Sequence, residues 1–170
     1  MKTRGFTLTE MLVALLIVAV LAGIAWPVGR SMVARSKQAA CLTKLRSIGI
    51  GLESYLADHN QILPPLEAGR ASTREEFPVL ETVLLPYMEG SKEAFHCPAD
   101  HKVFARCGSS YLWNSTQSGR HVNQLAFFGE KARPERIPLV TDKEDWHPNG
   151  VNFLYADQST STEVRFSTNR

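Results

Sequence analysis

The chain is expected to be an α+β protein in which one long N-terminal α-helix packs on a small antiparallel β-sheet. Three observations carry that expectation. The stretch Met11–Val28 holds no charged residue. Leu42, Leu45, Ile48, Leu52, Tyr55 and Leu56 then recur at three- and four-residue steps, the period of one apolar helix face. The C-terminal half replaces that period with short apolar or alternating segments bounded by Gly, Pro, Asp and Asn, the pattern of brief strands and turns.

The apolar stretch comes first. At helical rise it covers about 27 Å, close to the hydrocarbon core of a bilayer. Phe6 and Leu8 extend it upstream, Trp26 suits the far interface, and Arg30 and Arg35 follow on the polar side. Lys2 and Arg4 favour a cytoplasmic N-terminus, a bias that Arg30, Arg35 and Lys37 partly oppose. Glu10 is the one acid at the mouth of this segment, where its charge also suits a helix N-terminus. Pro27 either kinks the helix, by removing a hydrogen bond and crowding the preceding turn, or marks its exit from the bilayer.

Past Val28 the helix is expected to continue. Ala39 and Ala40 favour it, and Arg46, Glu53 and Asp58 fall largely on the side away from the apolar stripe. Gly49 and Gly51 weaken it locally but admit a closely packed sheet. His59-Asn60 and Pro64-Pro65 end it, so a single helix of about fifty residues is expected from Phe6 to Ala57. Residues 67–90 form a connection. Within it, Ser72 three residues before Glu75 reads as a capping box that starts a short helix through Phe77, Leu80, Val83, Leu84 and Tyr87, limited by Pro86. A loop then runs from Phe95 towards Asn114. Strands are expected at about 124–128, 137–141, 151–155 and 162–166, with residues 151–159 reading as strand, tight turn, strand.

A chain of 170 residues accommodates one membrane helix and one small domain. The formal net charge is +2, and Lys2 and Arg4 account for both extra positives. The remainder is near neutral, which argues against a broad nucleic-acid surface. In an oxidising compartment a disulfide is allowed. Cys97 and Cys107, which flank a polar loop, are the expected pair, leaving Cys41 as a small buried apolar residue on the long helix.

Catalysis is not expected. His96, His101, His121 and His147 coexist with Asp100, Asp142, Asp145 and Asp157, but no second pair completes a zinc pattern. No phosphate loop or nucleophile elbow is present. Asp142, Asp145, Asn149 and Asp157 offer oxygen donors of the kind calcium prefers, without EF-hand spacing. No metal and no cofactor is assigned. His147 is expected to hydrogen-bond the adjacent turn on the Asp157 side, and Phe127, Phe128, Trp146, Phe153 and Tyr155 to form core.

The residues Gly5-Phe6-Thr7-Leu8-Thr9-Glu10, set between a basic leader and the apolar run, resemble the N-terminus of type IV pilins and type II secretion pseudopilins. A secretory signal places its cleavage site after the apolar stretch; here the resemblance implies a cut before it, between Gly5 and Phe6. It implies a leader (1–5), a transmembrane or filament-core helix (6–28) and a periplasmic or extracellular head (29–170). A prepilin peptidase would cleave the chain and N-methylate Phe6. Glu10, fifth after the cut, would pair with the terminal amine of a neighbouring subunit; many pilins also carry a helix-kinking proline where Pro27 stands. Before assembly the chain would cross the inner membrane once, with its N-terminus in the cytoplasm. Its partners would be copies of itself or other pilin subunits, the peptidase, the membrane and an inner-membrane assembly platform. The resemblance leaves open a type IV pilus or a secretion pseudopilus, and also a minor pilin whose head binds a ligand, DNA or a surface.

The C-terminal half resembles a branch of prepilin-like proteins of planctomycete- and verrucomicrobia-type bacteria. They carry a Phe-x-Cys-Pro-x-Asp box, a Ser-Tyr-x-x-Asn box and a His followed, after nine residues, by Asp-Gly. The matching residues are Phe95, Cys97, Pro98 and Asp100, then Ser110, Tyr111 and Asn114, then His147 and Asp157. Gln158 replaces the glycine, which would supply the positive φ of a hairpin turn.

Overall fold

A computed structural model of the protein describes residues 7–166. The expected cut between Gly5 and Phe6, and methylation of Phe6, lie outside these residues. Helix α1 runs Leu8–Asp58, close to the expected span. Thr7 caps it through a capping box with Glu10. The helix continues through Pro27. The carbonyl that loses its partner there belongs to Gly23, four residues back.

From Gln38 onward α1 buries one stripe: Gln38, Cys41, Leu45, Ile48, Gly49, Gly51, Leu52, Tyr55 and Leu56. It stops after Asp58, where the His59 ring stacks on Tyr55 and Asn60 and Gln61 adopt left-handed φ values of 52° and 61°. Short elements follow: α2 (Leu80–Val83), single turns at Leu85–Met88 and Lys92–Phe95, and α3 (Val103–Cys107). The strands are β1 (Tyr111–Trp113), β2 (Ala126–Phe127), β3 (Glu130–Lys131), β4 (Pro138–Asp142), β5 (Phe153–Tyr155) and β6 (Thr160–Ser161). They form one four-stranded antiparallel sheet, ordered β1-β4-β5-β6, and a separate β2-β3 hairpin.

The core lies between the buried stripe of α1 and this sheet. Leu45, Ile48 and Leu52 meet a cluster that includes Phe95, Trp113, Leu139 and Leu154. Gly49 is the point of close approach to the sheet. A Cβ there would collide with the Gln158 side chain and press on Leu154 Cδ1 at 3.2 Å. Gly51 serves a different neighbour, because a Cβ there would meet Met88 Sδ in the turn at 85–88 rather than the sheet.

Several expectations need correction. Cys97 is bonded to Cys41, not to Cys107. Cys41 shares its helix face with Gln38, Leu45 and Ile48, which directs its sulfur into the head, and the bridge ties α1 to the loop 56 residues further on. Cys107 is a buried free thiol that donates to Val103 O at 3.0 Å. Ser72 and Glu75 do not start a helix. The Glu75 carboxylate instead accepts the N–H groups of Ala71 and Ser72 in a turn, and α2 begins only at Leu80. The last strand is β6 at 160–161 rather than 162–166, because the β5–β6 turn closes immediately after Tyr155. Phe128 is not core, being 71% exposed beside Phe127 and Phe166.

Candidate functional site

Two regions concentrate the groups of interest: the start of α1, and a buried polar cluster in the head.

At the start of α1, Glu10 Oε2 accepts both the Thr7 N–H and the Thr7 hydroxyl, each at 2.8 Å. The Glu10 N–H donates back to Thr7 Oγ1 at 3.3 Å. The carboxylate thus satisfies the first turn, while its other oxygen, Oε1, takes no part in the cap. Beyond it the helix is long and apolar enough to cross a membrane, and its most apolar window is wholly exposed. Ten large apolar side chains between Met11 and Ile24 stand uncovered. Covering each is worth about 1.5–3 kcal/mol, so together they exceed the stability of a small domain. A helix with that surface is at home in lipid or against other helices. At the far end Arg30 lies over the Trp26 ring, 5.9 Å from its centroid, a contact of cation and aromatic face.

In the head, the two boxes around Cys97 and Ser110 form one ligature. The Cys97 N–H donates to Ser110 Oγ at 3.0 Å, and Ser110 Oγ donates to Asp100 Oδ2 at 2.7 Å. Asp100 also accepts the N–H groups of Lys102, Val103 and Phe104 at 2.7–2.8 Å, holding the first turn of α3. Burial alone would raise the Asp100 carboxyl, but the Ser110 hydroxyl and these three N–H groups outweigh it and hold it below its usual range. Asn114 Nδ2 donates to Pro138 O at 2.7 Å, fastening the end of β1 to β4. Asp100, Ser110 and Asn114 therefore each have a structural task, whereas the Tyr111 hydroxyl is buried without a partner.

His147 sits behind the disulfide. Its Nε2 is 3.3 Å from Cys97 Sγ and 3.6 Å from Asp142 Oδ2, with both side chains fully buried. This overturns the expected contact on the Asp157 side. Asp157 works in the β5–β6 turn, where Oδ1 accepts the Ser159 N–H at 3.0 Å and hydroxyl at 2.6 Å. Gln158 fills the glycine position of that turn at φ 67°, so the turn keeps its geometry and the side chain bears the left-handed strain.

Burial pushes the Asp142 carboxyl up to about 7, against the Asn152 N–H that bonds its Oδ2 at 2.8 Å. Burial lowers the His147 imidazole, partly offset by Asp145. Both shifts favour the uncharged form. Burial also raises the Tyr111 phenol, helped by the nearby Asp142 and Asp100 carboxylates. Gln38, from α1, closes the cluster by donating to Asn152 Oδ1 at 3.3 Å.

The oxygen donors considered for calcium do not converge. Asp142 is buried, Asp145 and Asn149 are exposed, and Asp157 belongs to the β5–β6 turn. Of the other histidines, His101 is exposed and His96 and His121 are half-buried. Sequence reasoning missed the grouping of Cys41, Cys97, His147 and Asp142. The available signal was the spacing Gln38, Cys41, Leu45, Ile48, which places Cys41 on the inward face.

Residues 1–26 match the family described as the prokaryotic N-terminal methylation motif. The match covers the basic leader, Gly5, Phe6, Glu10 and the apolar helix as far as Trp26, and it supports a type IV pilin-like protein anchored by that helix. Comparison with curated proteins and with solved structures returned no match.

Proposed function

We propose that this protein is a structural subunit of a type IV pilus or a type II secretion pseudopilus. A prepilin peptidase cuts between Gly5 and Phe6 and methylates the new terminal amine. The freed chain spans the inner membrane once, with its head outside the cytoplasm. An assembly platform then moves it into a filament with copies of itself or other pilin subunits. The chain performs no chemistry of its own.

The observation that carries this reading is the juxtaposition at the start of α1. One acid, held by Thr7, begins a wholly exposed apolar helix within a methylation-type N-terminus. In a filament core, a carboxylate and an ammonium are each costly alone, and pairing removes most of that cost. Because Thr7 occupies only Oε2, Glu10 offers Oε1 to a neighbour's amine without first losing its cap. Glu10→Ala tests this mechanism. Membrane insertion should persist, since removing a charge from an apolar segment favours it, while filament incorporation should fall sharply. Normal incorporation of the variant would end the amine-pairing mechanism.

A further inference from the structure

The wall behind the disulfide carries more donor atoms than a disulfide requires. Cys41 Sγ, Cys97 Sγ and a ring nitrogen of His147 lie within 4.8 Å of one another, all on buried residues. His147 Nε2 points between Cys97 Sγ at 3.3 Å and Asp142 Oδ2 at 3.6 Å. Two sulfurs, one imidazole nitrogen and one carboxylate oxygen are donors of the type zinc selects. In a zinc tetrahedron with metal–ligand bonds of about 2.0–2.3 Å, neighbouring donors stand roughly 3.3–3.8 Å apart. The separations of His147 Nε2 from Cys97 Sγ and from Asp142 Oδ2 already fall there; the two sulfurs must part, and Asp142, which stands outside the group of three, must swing in to complete the set.

The same two side chains, His147 and Asp142, are also under-satisfied at their outer atoms. With the disulfide closed, Asp142 Oδ1 and His147 Nδ1 are buried without hydrogen-bond partners. Among the described residues, His147 is also the one ionisable base within ion-pair distance of Asp142. A divalent cation at His147 Nε2 would draw Asp142 into its carboxylate form.

We propose that the reduced chain binds one zinc ion through Cys41, Cys97, His147 and Asp142. The zinc-bound dithiol and the disulfide are exclusive states of a single site. Reduction by a phosphine and water transfers two electrons and two protons to the bridge, giving two thiols and a phosphine oxide. Zinc displaces the two thiol protons and takes both thiolates. In the reverse direction, a protein disulfide accepts the two electrons, takes two protons from water and becomes a dithiol, the Cys41–Cys97 bond re-forms, and the metal leaves as the aqueous ion because a disulfide sulfur is no longer a thiolate. This inference rests on the head alone and is independent of the filament reading.

The test uses the full chain in detergent micelles, reduced with a phosphine and titrated with zinc alone. Bound metal is counted by elemental mass spectrometry, and the coordination is read by cobalt substitution. About one ion per reduced chain is expected, with none above background in the oxidised chain. Cobalt should give a tetrahedral thiolate spectrum. His147→Ala should weaken binding by at least about tenfold, as loss of a ligand weakens a site more than loss of an outer partner. Cys107→Ser should bind as the unchanged chain does, because the Cys107 thiol points elsewhere, 3.1 Å from Lys143 Nζ. A reduced, folded chain that takes up no zinc overturns the proposal. So does binding that survives His147→Ala but is lost in Cys107→Ser. If reduction unfolds the head, near-ultraviolet circular dichroism decides: recovery of the folded signal on adding zinc supports the site, and no recovery overturns it.

Discussion

Replacing Cys41 by serine should remove a large share of the head's stability, whereas replacing Cys107 should not. The Cys41–Cys97 bridge joins residues 56 positions apart. Closing a loop of that length removes about 14 cal/mol/K of entropy from the unfolded chain, or about 4 kcal/mol at room temperature. Cys41 is also fully buried, so a serine hydroxyl there adds a desolvation cost of about 1–3 kcal/mol. Cys107 closes no loop, and its sulfur donates only to nearby carbonyls, a role serine can take over, so Cys107→Ser should cost about 1 kcal/mol or less. The assay is urea unfolding of the full chain in detergent without reductant, followed by fluorescence of the buried Trp113. At about 1–3 kcal/mol per molar urea, the Cys41 variant should lose well over 1 M from its midpoint. Reductant, in the absence of added metal, should move the unchanged chain towards the Cys41→Ser value. A large loss in Cys107→Ser with none in Cys41→Ser would refute the connectivity and the reasoning built on it.

Asp100 should make the head acid-labile. Its carboxyl is held below the ordinary value of 3.8 in the folded state, so its contribution is complete above that value and is lost as the pH falls through the lower folded one. Stability measured against pH should decline below about 4, and Asp100→Asn should be less stable at neutral pH with a shallower decline. Gln158→Gly should stabilise the head by about 1 kcal/mol, read as a higher unfolding midpoint. It relieves the left-handed strain at φ 67° and removes a buried carbonyl oxygen that has no partner.

The long helix was legible because its signal is periodic and local. Leu45, Ile48, Leu52, Tyr55 and Leu56 are buried as their spacing requires, and α1 ends within a residue of the expected position. The sheet was legible as segments at 137–141 and 151–155, which became β4 and β5. The disulfide was not, because nearness in sequence favoured Cys107, while the true partner is reached only when α1 folds against the head. Helix α3 spans five residues and lacks a periodic pattern; its signal was Asp100, whose carboxylate collects the first N–H groups. Ser72 and Glu75 show the converse error, for the same spacing that caps a helix also closes an isolated turn. The buried cluster stayed hidden because Cys41, Cys97, Asp142 and His147 come from four separate segments, and pairwise spacing carries no information about such a meeting.

The most direct test of the proposed function is the mass of the N-terminal peptide recovered from native membranes. A peptide beginning at Phe6 and carrying one added methyl group is the expected result. An intact terminus at Met1 or Lys2 would contradict prepilin processing and leave Glu10 as no more than the cap of a membrane helix.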